Sequence, residues 1–513
     1  MRALAAVAVT VTVAGAGVGV ARSRRHDAPP ERPPIVFVVF DAVPGSMLMR
    51  PDGTLDAERF PGFGALARDA TWYRNATTVN DSTVKSIPAM LDGRWPSNLR
   101  HPTLADHPRN LFTLLRGRYR IWADEEGIGL CPPSVCRAEV RSRLLYLLHG
   151  RREQRFAGAL QALAPQHRDA PPPLWFVHVL LPHEPLRFLP SGKVYEPSAD
   201  PEPGLDGNES FDNAWLTLQA EQRHLLQLRF TDTLLQRLLA RLHATGLYDR
   251  AVIVVAADHG ISFRRKPAPA EPYRLGQIGW RRDLTPYNAH DVAFVPLFVK
   301  APRQRAGVTS DAWVRTVDIL PTLLGFARIA PPPGLAGRPL GDPRRPPPLV
   351  EVLTNRRGPL VLDPAALARR RAAGLARRAR SFGTGAAVAP IFRIGPHPEL
   401  IGRPPASLPL LPRSRLHARL WGARRFMDVD PRSRRVPADV TGWITGGRPD
   451  GRDLAVSVNG RIAAVSESFK PVGALGLNLS SLVPESAFRP GRNDVRVFEV
   501  VGGAALRPLL ASG

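Results

Sequence analysis

Two runs of apolar, largely β-branched residues each end directly at an aspartate, and they constrain the fold more than any other feature of the chain. The first is IVFVVF, residues 35–40, which leads into Asp41. The second is AVIVVAA, residues 251–257, which leads into Asp258 and His259. Continuous apolar runs of this length are typical of parallel strands that are buried on both faces. Because parallel strands carry ligands at their carboxyl ends, we expect both aspartates at one edge of a sheet.

The remainder of residues 33–345 alternates between strand-like and helix-like segments. VPLFVKAP, residues 295–302, is a third predicted strand, and residues 215–245 have the apolar spacing of a long amphipathic helix that ends at Gly246. Alternation of this kind predicts a mostly parallel central sheet sandwiched by helices. We therefore predict an α/β fold, with residues 33–345 as its main domain.

The composition changes after this segment, where GDPRRPPP is followed by the arginine-rich run ALARRRAAGLARRARS. We assign residues 346–395 to a Pro/Arg-rich linker, in which the basic run is either a solvated helix or a helix on a membrane surface. Short alternating strands follow between residues 437 and 501, and the turn signal Asn459-Gly460 separates two of them. Residues 396–513 are predicted to form a small domain that resembles a β-sandwich.

The N-terminal segment, residues 1–32, is predicted to be a signal peptide or membrane anchor followed by a linker. Residues 3–21 form an uncharged apolar run, close to the ~20 residues that cross a bilayer. The arginines at positions 22, 24 and 25 follow this run directly. Positively charged residues beside a membrane span favour the cytoplasmic side, so an uncleaved anchor would place the main domain in the cytoplasm. A cleaved signal removes this conflict.

The chain has two cysteines, Cys131 and Cys136. Their spacing leaves open a short disulfide, part of a metal site or two unrelated thiols. No second cysteine pair exists to complete a zinc site, so we favour the disulfide. A disulfide implies an oxidising compartment, and we expect an extracytoplasmic protein of the bacterial cell envelope, either membrane-anchored or secreted.

The formal net charge is +25, and only five of the 70 basic residues are lysines. Such an excess predicts an anionic partner, for example phospholipid or a cell-wall polymer, although the arginine bias also fits a GC-rich genome. The sequence has no zinc-finger spacing and no RNP-like aromatic motif. We therefore predict contact with a membrane or polymer and no nucleic-acid partner.

The order of polar residues along the main domain resembles the alkaline phosphatase superfamily, and in particular its sulfatase-like branch. It runs from Asp41 through the hydroxyl-rich loop NDSTVKSIPAML to His183 and the pair Asp258-His259. Landmarks outside the candidate site agree, among them FPGFGALARDATWYRNATT and RTVDILPTLLGFARI. The resemblance covers most of residues 33–342 and implies an enzyme that acts on anionic esters with the help of a metal ion.

The hydroxyl-rich loop contains the residue that the resemblance implies as the nucleophile. Sulfatases carry a C/S-x-P-x-R pattern whose first residue is oxidised to formylglycine, and aligning the segment that follows it on MLDG, residues 90–93, selects Thr83. Phosphoethanolamine transferases have a threonine five residues before a proline, and counting back from Pro88 selects Thr83 again. Threonine cannot become formylglycine, and Ile87 replaces the sulfatase arginine. The pattern is therefore closest to lipoteichoic acid synthase and the phosphoethanolamine transferases.

The same resemblance implies one divalent metal ion, bound by Asp41, Asp258, His259 and the Thr83 hydroxyl. A mixed set of carboxylate and imidazole ligands favours Zn or Mn, with Mg or Ca as alternatives. A cation there lowers the pKa of the threonine hydroxyl, which makes it a nucleophile for a phosphate ester.

Three further residues are candidates for contact with the substrate. Lys85 and His183 are predicted to hold the non-bridging oxygens or to protonate the leaving group. Of the histidines in HVLLPHEP, we favour His183, which lies beyond the strand, and interpret His178 as structural. His290 is predicted to bind substrate, with Asp291 as a competitor for that position.

The predicted enzyme is a metal-dependent hydrolase or phosphotransferase acting on phosphate esters of a lipid or cell-wall polymer, as a phosphotransferase or phosphodiesterase. Two alternatives remain open. One is the hydrolysis of a sulfate or phosphonate ester by the same residues. The other is a catalytically silent protein that binds the envelope, which the complete set of Asp, Thr, Asp and His argues against.

Overall fold

A seven-stranded sheet lies at the centre of the fold. Its strands, in chain order, are β1 (Ile35–Asp41), β2 (Thr71–Thr77), β3 (Arg120–Asp124), β4 (Pro173–Pro182), β5 (Val252–Ala257), β6 (Leu297–Lys300) and β7 (Val308–Arg315). They lie side by side in the order β3-β4-β1-β5-β6-β2-β7. Strand β6 is antiparallel to both neighbours, and the other pairs are parallel. The predicted mostly parallel sheet is confirmed.

The computed structural model describes most of the chain: residues 32–136, 152–165, 170–195, 213–264, 284–344, 350–355, 357–446, 451–470 and 476–511. The apolar run at residues 3–21, on which the predicted signal or anchor depends, lies outside these ranges. Within them, no helix combines the length and the apolar character that crossing a membrane requires.

Strands β1 and β5 are adjacent and parallel, and all of their residues are buried. This explains why their sequences are apolar throughout, since neither face meets water. The register pairs Phe40 with Ala257, so the next residues, Asp41 and Asp258, reach the carboxyl edge together. The Asp258 N–H donates to the Phe40 carbonyl at 3.2 Å, which extends the pairing to that edge.

Helices pack around this sheet. In chain order they are α1 (Pro61–Ala67), α2 (Thr83–Asp92), α3 (Leu111–Leu115), α4 (Arg152–Gln161), α5 (Ala214–Ala244), α6 (Ala289–Val292), α7 (Ile319–Ala327), α8 (Pro364–Phe382) and α9 (Ala389–Phe392). Helix α5 matches the predicted long helix, and Gly246 follows it with φ 69°. Asp232 of α5 accepts the N–H groups of Gly62 and Phe63 at 2.9 Å each, so it caps α1.

The C-terminal part of the chain is rich in strands. They are β8 (Val350–Thr354), β9 (Gly358–Leu362), β10 (His417–Leu420), β11 (Asp439–Thr445), β12 (Asp453–Val458), β13 (Arg461–Glu467), β14 (Leu477–Leu482), β15 (Val495–Val501), β16 (Ala505–Pro508) and β17 (Leu510–Ala511). Strands β8 and β9 pair with each other, and the rest form two four-stranded sheets, β14-β11-β10-β17 and β13-β12-β15-β16. Asn459 and Gly460 have φ 52° and 78° between β12 and β13, as a two-residue hairpin turn requires.

The two C-terminal sheets and the central sheet belong to one compact unit, residues 33–513. Arg223 of helix α5 is 2% exposed and donates to Asp439 Oδ1 at 2.9 Å and Ser480 Oγ at 3.0 Å, which are on β11 and β14. A buried guanidinium requires such partners. The predicted domain boundaries within the unit stay predictions.

Helix α8, formed by the arginine-rich run, packs against the α/β region. Arg378 is buried and donates to Glu221 Oε1 at 2.9 Å and to the Ser46 carbonyl at 3.1 Å, while Arg377 donates to Glu221 Oε2 at 2.8 Å. Burial disfavours the Glu221 carboxylate, but the two guanidinium groups outweigh this and keep its pKa below the usual value. The prediction of a solvated helix is wrong for this face of α8, which is buried against Glu221. The sequence could not show this pairing, because Glu221 and the two arginines are more than 150 residues apart.

Replacing Glu221 with Gln is expected to destabilise the fold by ~3 kcal/mol or more, since it leaves two guanidinium groups without their buried counter-charge. The measurement is equilibrium unfolding in urea, followed by circular dichroism. The matched control is Glu58→Gln on the surface, where the Arg50–Glu58 pair is solvated, and where the change should stay within ~0.5 kcal/mol. Equal effects of the two substitutions would contradict this account of α8.

Candidate active site

The end of strand β1 supplies the first carboxylate of the site. Asp41 is 1% exposed, and among the described residues its Oδ1 atom has no hydrogen-bond partner. The next residue, Ala42, has φ 61°, a left-handed conformation that is strained for a residue other than glycine. The Ala42 N–H donates to Asp258 Oδ1 at 3.1 Å. The ends of β1 and β5 are therefore linked at the edge of the sheet.

Asp258 and His259 follow β5 directly. Asp258 Oδ1 accepts a second hydrogen bond, from the His259 N–H at 2.7 Å, and Oδ2 lies 3.5 Å from His259 Nε2. His259 Nδ1 bonds to the Gly260 carbonyl at 2.9 Å, so in the neutral ring the proton is on Nδ1 and Nε2 carries a lone pair. Gly260 is required by close approach, since a Cβ atom there would lie 2.0 Å from the Asp291 carbonyl oxygen.

The hydroxyl of Thr83 joins these side chains. Thr83 is the first residue of α2, and its Oγ1 atom lies 3.4 Å from Asp41 Oδ2 and 3.3 Å from His259 Nε2. Ser86, one turn further on, instead donates to the Ser82 carbonyl at 3.0 Å. The structure therefore brings together the four residues that the sequence predicts as a metal site, and it separates the two hydroxyl groups.

Side chains of the same loop hold Thr83 in place. Asn80 accepts the Ser82 N–H at 2.9 Å and donates to the Leu353 carbonyl at 2.6 Å. Asp81 accepts the N–H groups of Leu284 at 3.2 Å and Asn355 at 3.0 Å. The polar character of this loop thus serves to attach the start of α2 to the β8–β9 hairpin and the segment before α6.

His178 also lies in the site, although the sequence interpretation treated it as structural. It is on strand β4, opposite Val39, and its Nε2 atom lies 3.6 Å from Asp41 Oδ2. Ligand atoms of Asp41, His178 and Asp258 all lie within 4.8 Å of one another. An ionisable residue inside an otherwise apolar strand was the signal in the sequence, but it cannot show which face of the sheet the ring occupies.

His183 lies in the loop after β4. It is 6% exposed, its Nδ1 atom bonds to the Glu184 carbonyl at 2.7 Å, and its own carbonyl accepts from Arg152 at 2.7 Å and Gln227 at 3.0 Å. Its charge acts on the Asp41 carboxylate. This predicted substrate contact is thus near enough to help lower the pKa of Asp41, and its loop is held by buried side chains.

Lys85 has other partners in this structure, whereas the two ring nitrogens of His290 have no hydrogen-bond partner among the described residues. Lys85 Nζ donates to the carbonyl oxygens of Asn98, at 3.2 Å, and of Arg100. His290 is 1% exposed, its Nε2 atom lies 3.5 Å from Asp291 Oδ2, and burial lowers the pKa of its ring to about 4. The structure brings neither side chain into contact with the cluster, and their predicted contacts with substrate stay predictions.

Burial and charge oppose each other within the cluster. Burial raises the pKa of Asp41, but His183, His178 and His259 outweigh it and hold that pKa below its usual value. Burial, followed by the charge of Asp41, raises the pKa of Asp258. Two carboxylates so close together and so deeply buried are costly when both are ionised, and a cation between them removes that cost.

The residues present fit a divalent metal ion. Asp41 Oδ1, Asp258 Oδ2 and His178 Nε2 are buried, and none has a hydrogen-bond partner among the described residues. Buried polar atoms are rarely left unpaired, and carboxylate, imidazole and hydroxyl groups are suitable ligands for Zn or Mn. Asp41, Asp258, His259 and Thr83 are therefore in position to hold such an ion.

Fold and site together define a class of protein. The chain belongs to the Sulfatase family, whose model matches residues 33–329. The resemblance to the sulfatase-like branch of the alkaline phosphatase superfamily is thereby confirmed.

Two curated proteins match parts of the chain. The ulvan-active sulfatase of Formosa agariphila is 28% identical over 183 residues, which are 35% of this chain and 33% of that protein. Lipoteichoic acid synthase 1 of Bacillus subtilis is 33% identical over 97 residues, 19% of this chain and 14% of that protein. The chain thus spans about a third of the length of the first relative and less of the second.

Solved structures of similar proteins share lower identity. Phosphonate monoester hydrolase SpPMH from Silicibacter pomeroyi is 19% identical with a TM-score of 0.42, covering 60% of this chain and 76% of that one. BT4656, solved with D-glucosamine-2-N,6-O-disulfate, is 17% identical with a TM-score of 0.45, covering 60% and 79%.

Asp258→Asn is expected to abolish uptake of a divalent ion without lowering the stability of the metal-free protein. The substitution removes one of two neighbouring buried charges and keeps an oxygen for the N–H groups of Ala42 and His259. Wild-type protein at a hundredfold excess of Zn²⁺ or Mn²⁺ over Kd should gain ~2.7 kcal/mol. Thermal unfolding with and without the metal, and elemental analysis after dialysis, provide the measurements.

Asp311→Asn on the surface, where Asp311 pairs with Arg74, is the control and should retain the stabilisation by metal. The metal site is contradicted if the metal still stabilises Asp258→Asn, or if it does not stabilise the wild type.

Proposed function

We propose that this protein is a metal-dependent enzyme that uses Thr83 as a nucleophile on phosphate esters of the cell envelope, as a phosphotransferase or phosphodiesterase. The observation that carries the proposal is the position of the Thr83 hydroxyl, 3.4 Å from Asp41 Oδ2 and 3.3 Å from His259 Nε2. A serine or cysteine there would permit formylglycine chemistry, whereas threonine keeps its hydroxyl as the attacking group.

The local structure supports an ionised Thr83. The side chain lies at the first position of α2, a helix of ten residues. The positive end of a helix dipole stabilises a nearby negative charge by ~0.3–1 kcal/mol. When bound, a divalent cation lowers the pKa of the hydroxyl and neutralises charge on the phosphoryl oxygens. Before it is ionised, the Thr83 hydroxyl donates to Asp41 Oδ2 at 3.4 Å.

The reaction has two steps. The ionised Thr83 Oγ1, whose proton has been released to solvent, forms a bond to phosphorus while the bond from phosphorus to the leaving alcohol oxygen breaks, and the second step frees the same alkoxide. That oxygen takes a proton from His183, whose loop is held by Arg152 and Gln227. Water or an acceptor alcohol then attacks the phosphothreonine, returns the proton to His183 and releases Thr83. Lys85 and His290 remain candidates for holding non-bridging oxygens, for which Lys85 must leave the carbonyl groups of Asn98 and Arg100.

Other features support the substrate class and the location that we propose. The net charge of +25 favours an anionic surface or polymer, and one matching protein is a lipoteichoic acid synthase. Cys131 and Cys136 form a disulfide with Cα atoms 6.0 Å apart, which supports an extracytoplasmic compartment. A second candidate is hydrolysis of a sulfate ester by the same residues, favoured by the match to an ulvan-active sulfatase.

Thr83→Ala is expected to lower turnover of bis(4-nitrophenyl) phosphate by ~10³-fold or more, since the step that forms the covalent bond is lost. Thr83→Ser should retain part of the activity, because it keeps the hydroxyl. Mass spectrometry of acid-quenched wild-type enzyme should find a phosphoryl adduct on the peptide that contains Thr83.

Ser86→Ala is the matched control, because Ser86 bonds to the Ser82 carbonyl within the same helix, and it should leave turnover unchanged. Full activity of Thr83→Ala would refute the proposal. Turnover of 4-nitrophenyl sulfate with none of the phosphodiester would favour the second candidate.

The loss of turnover caused by His183→Asn is expected to depend on the leaving group of the substrate. A proton donor matters little for 4-nitrophenolate, whereas an alkoxide requires one. Turnover of a methyl 4-nitrophenyl diester at the nitrophenyl bond should fall by less than ~10-fold, and release of an alkyl alcohol such as glycerol by ~10²-fold or more. The control is His243→Gln, an exposed position near the end of α5. Equal losses on both substrates would argue against proton donation by His183.

A further inference from the structure

His178 is the most unusual residue of the central sheet. It lies on β4 among apolar residues that are buried, and its own side chain is fully enclosed. A buried imidazole is costly unless its polar atoms have partners. Its Nδ1 atom has one, the Glu126 carbonyl at 2.8 Å, while Nε2 has no hydrogen-bond partner among the described residues.

The bond at Nδ1 orients the ring. In the neutral form the proton must be on Nδ1, which leaves the lone pair on Nε2 facing Asp41. His259 has the same arrangement, with Nδ1 on the Gly260 carbonyl. Histidines that bind metal ions usually donate their second nitrogen to a carbonyl or carboxylate in this way. The His178 and His259 rings therefore have the same tautomer when neutral, with the lone pair on Nε2.

The loop that presents the Glu126 carbonyl is itself held in place. Glu125 accepts the N–H groups of Leu130 at 3.0 Å and Cys131 at 2.8 Å. Arg155 of α4 donates to Asp124 Oδ2 at 2.8 Å. These bonds hold both sides of the loop at the end of β3, so the position of the His178 ring does not depend on a mobile group.

The distances within the cluster fit ligands of one metal ion. A histidine that only neutralised Asp41 would donate at about 2.7–3.2 Å, whereas Nε2 lies 3.6 Å from Asp41 Oδ2. Ligand atoms at ~2.0–2.1 Å from one zinc ion, at angles of roughly 90–120° as in four- or five-coordinate sites, lie roughly 2.9–3.6 Å apart. The separations within the cluster, from His259 Nε2 to Asp258 Oδ2 at 3.5 Å and to Thr83 Oγ1 at 3.3 Å, are of that size.

We propose that His178 is a further ligand of the metal ion, which gives the site two imidazole nitrogens beside the two carboxylates and the Thr83 hydroxyl, and that this donor set selects Zn²⁺ over Mg²⁺ and Ca²⁺. Imidazole nitrogen suits zinc, whereas magnesium and calcium prefer oxygen. The inference rests on the metal site of the proposed function but makes a separate claim about its ligands and selectivity.

The test is metal binding by the full chain at equilibrium, without substrate. Metal-free wild type, His178→Gln, Asp41→Asn and the control His243→Gln are titrated with Zn²⁺ in competition with a chromophoric chelator, and with Mg²⁺ by calorimetry. His178→Gln should lower Zn²⁺ affinity by ~10²-fold while Mg²⁺ affinity changes by less than ~3-fold. In Co²⁺-loaded protein the same substitution should change the visible absorption bands.

The inference is overturned if His178→Gln binds Zn²⁺ as tightly as the wild type and its Co²⁺ spectrum is unchanged, while Asp41→Asn loses binding. That outcome leaves the proposed function intact. If Thr83→Ala keeps full activity while His178→Gln still weakens Zn²⁺ binding, the proposed function is refuted and the inference about His178 stands. If His178→Gln does not fold, X-ray absorption of Zn²⁺-loaded wild type decides instead: outer-shell scattering from two imidazoles supports the inference, and scattering from one overturns it. A wild type that binds no Zn²⁺ would refute both the inference and the metal dependence.

Discussion

The site depends on placing two buried carboxylates side by side. The parallel register of β1 and β5 brings Asp41 and Asp258 to the sheet edge together, where both are almost fully enclosed. Like charges in such surroundings destabilise each other, and the raised pKa of Asp258, caused by burial and then by Asp41, expresses this cost. A fold that retains the pair must surround it with positive or proton-donating groups.

The neighbouring structure supplies those groups. Backbone N–H groups of Ala42 and His259 both reach Asp258 Oδ1, and the left-handed conformation of Ala42 is what makes the first contact possible. Imidazole rings approach Asp41 from β4 and from the end of β5. Thr83 enters from the start of a helix whose dipole also favours negative charge. The left-handed backbone of Ala42 and a group of buried polar side chains lie where the chemistry is proposed.

The C-terminal half is connected to the rear of this site. Arg378 of α8 lies 3.6 Å from Asp291 Oδ1 and donates to the Ser46 carbonyl at 3.1 Å. The Asp291 carbonyl in turn lies against Gly260, so close that any side chain at that position would collide with it. The segment beyond the family match, which ends at residue 329, thus contributes to the packing behind the candidate ligands, although its sequence reads as a linker.

Much of the fold could be predicted because the deciding signals are local. Apolar strands that end at aspartate, a long amphipathic helix stopped by glycine, and an Asn-Gly turn each depend on neighbours in sequence, and each is present in the structure. Thr83 was selected differently, by the resemblance to sulfatases and phosphoethanolamine transferases, the second of which have a threonine five residues before a proline, here Pro88. Two side chains have surroundings that the sequence could not show. Lys85 bonds to the carbonyls of Asn98 and Arg100. His178, interpreted as structural, lies beside Asp41 in the cluster.

The sequence by itself determined the class of fold and the strand ends that carry the acidic residues, since these follow from periodicity and chain-breaking residues. Thr83 as the nucleophile is implied by the family resemblance and stays a prediction. Only the tertiary structure decided which histidines meet Asp41, that α8 is anchored through Glu221, and that Gly260 is needed for a close approach to Asp291. Those facts depend on pairs of residues far apart in the chain, and their contacts exist only once the sheet register and the packing of α5 and α8 are set.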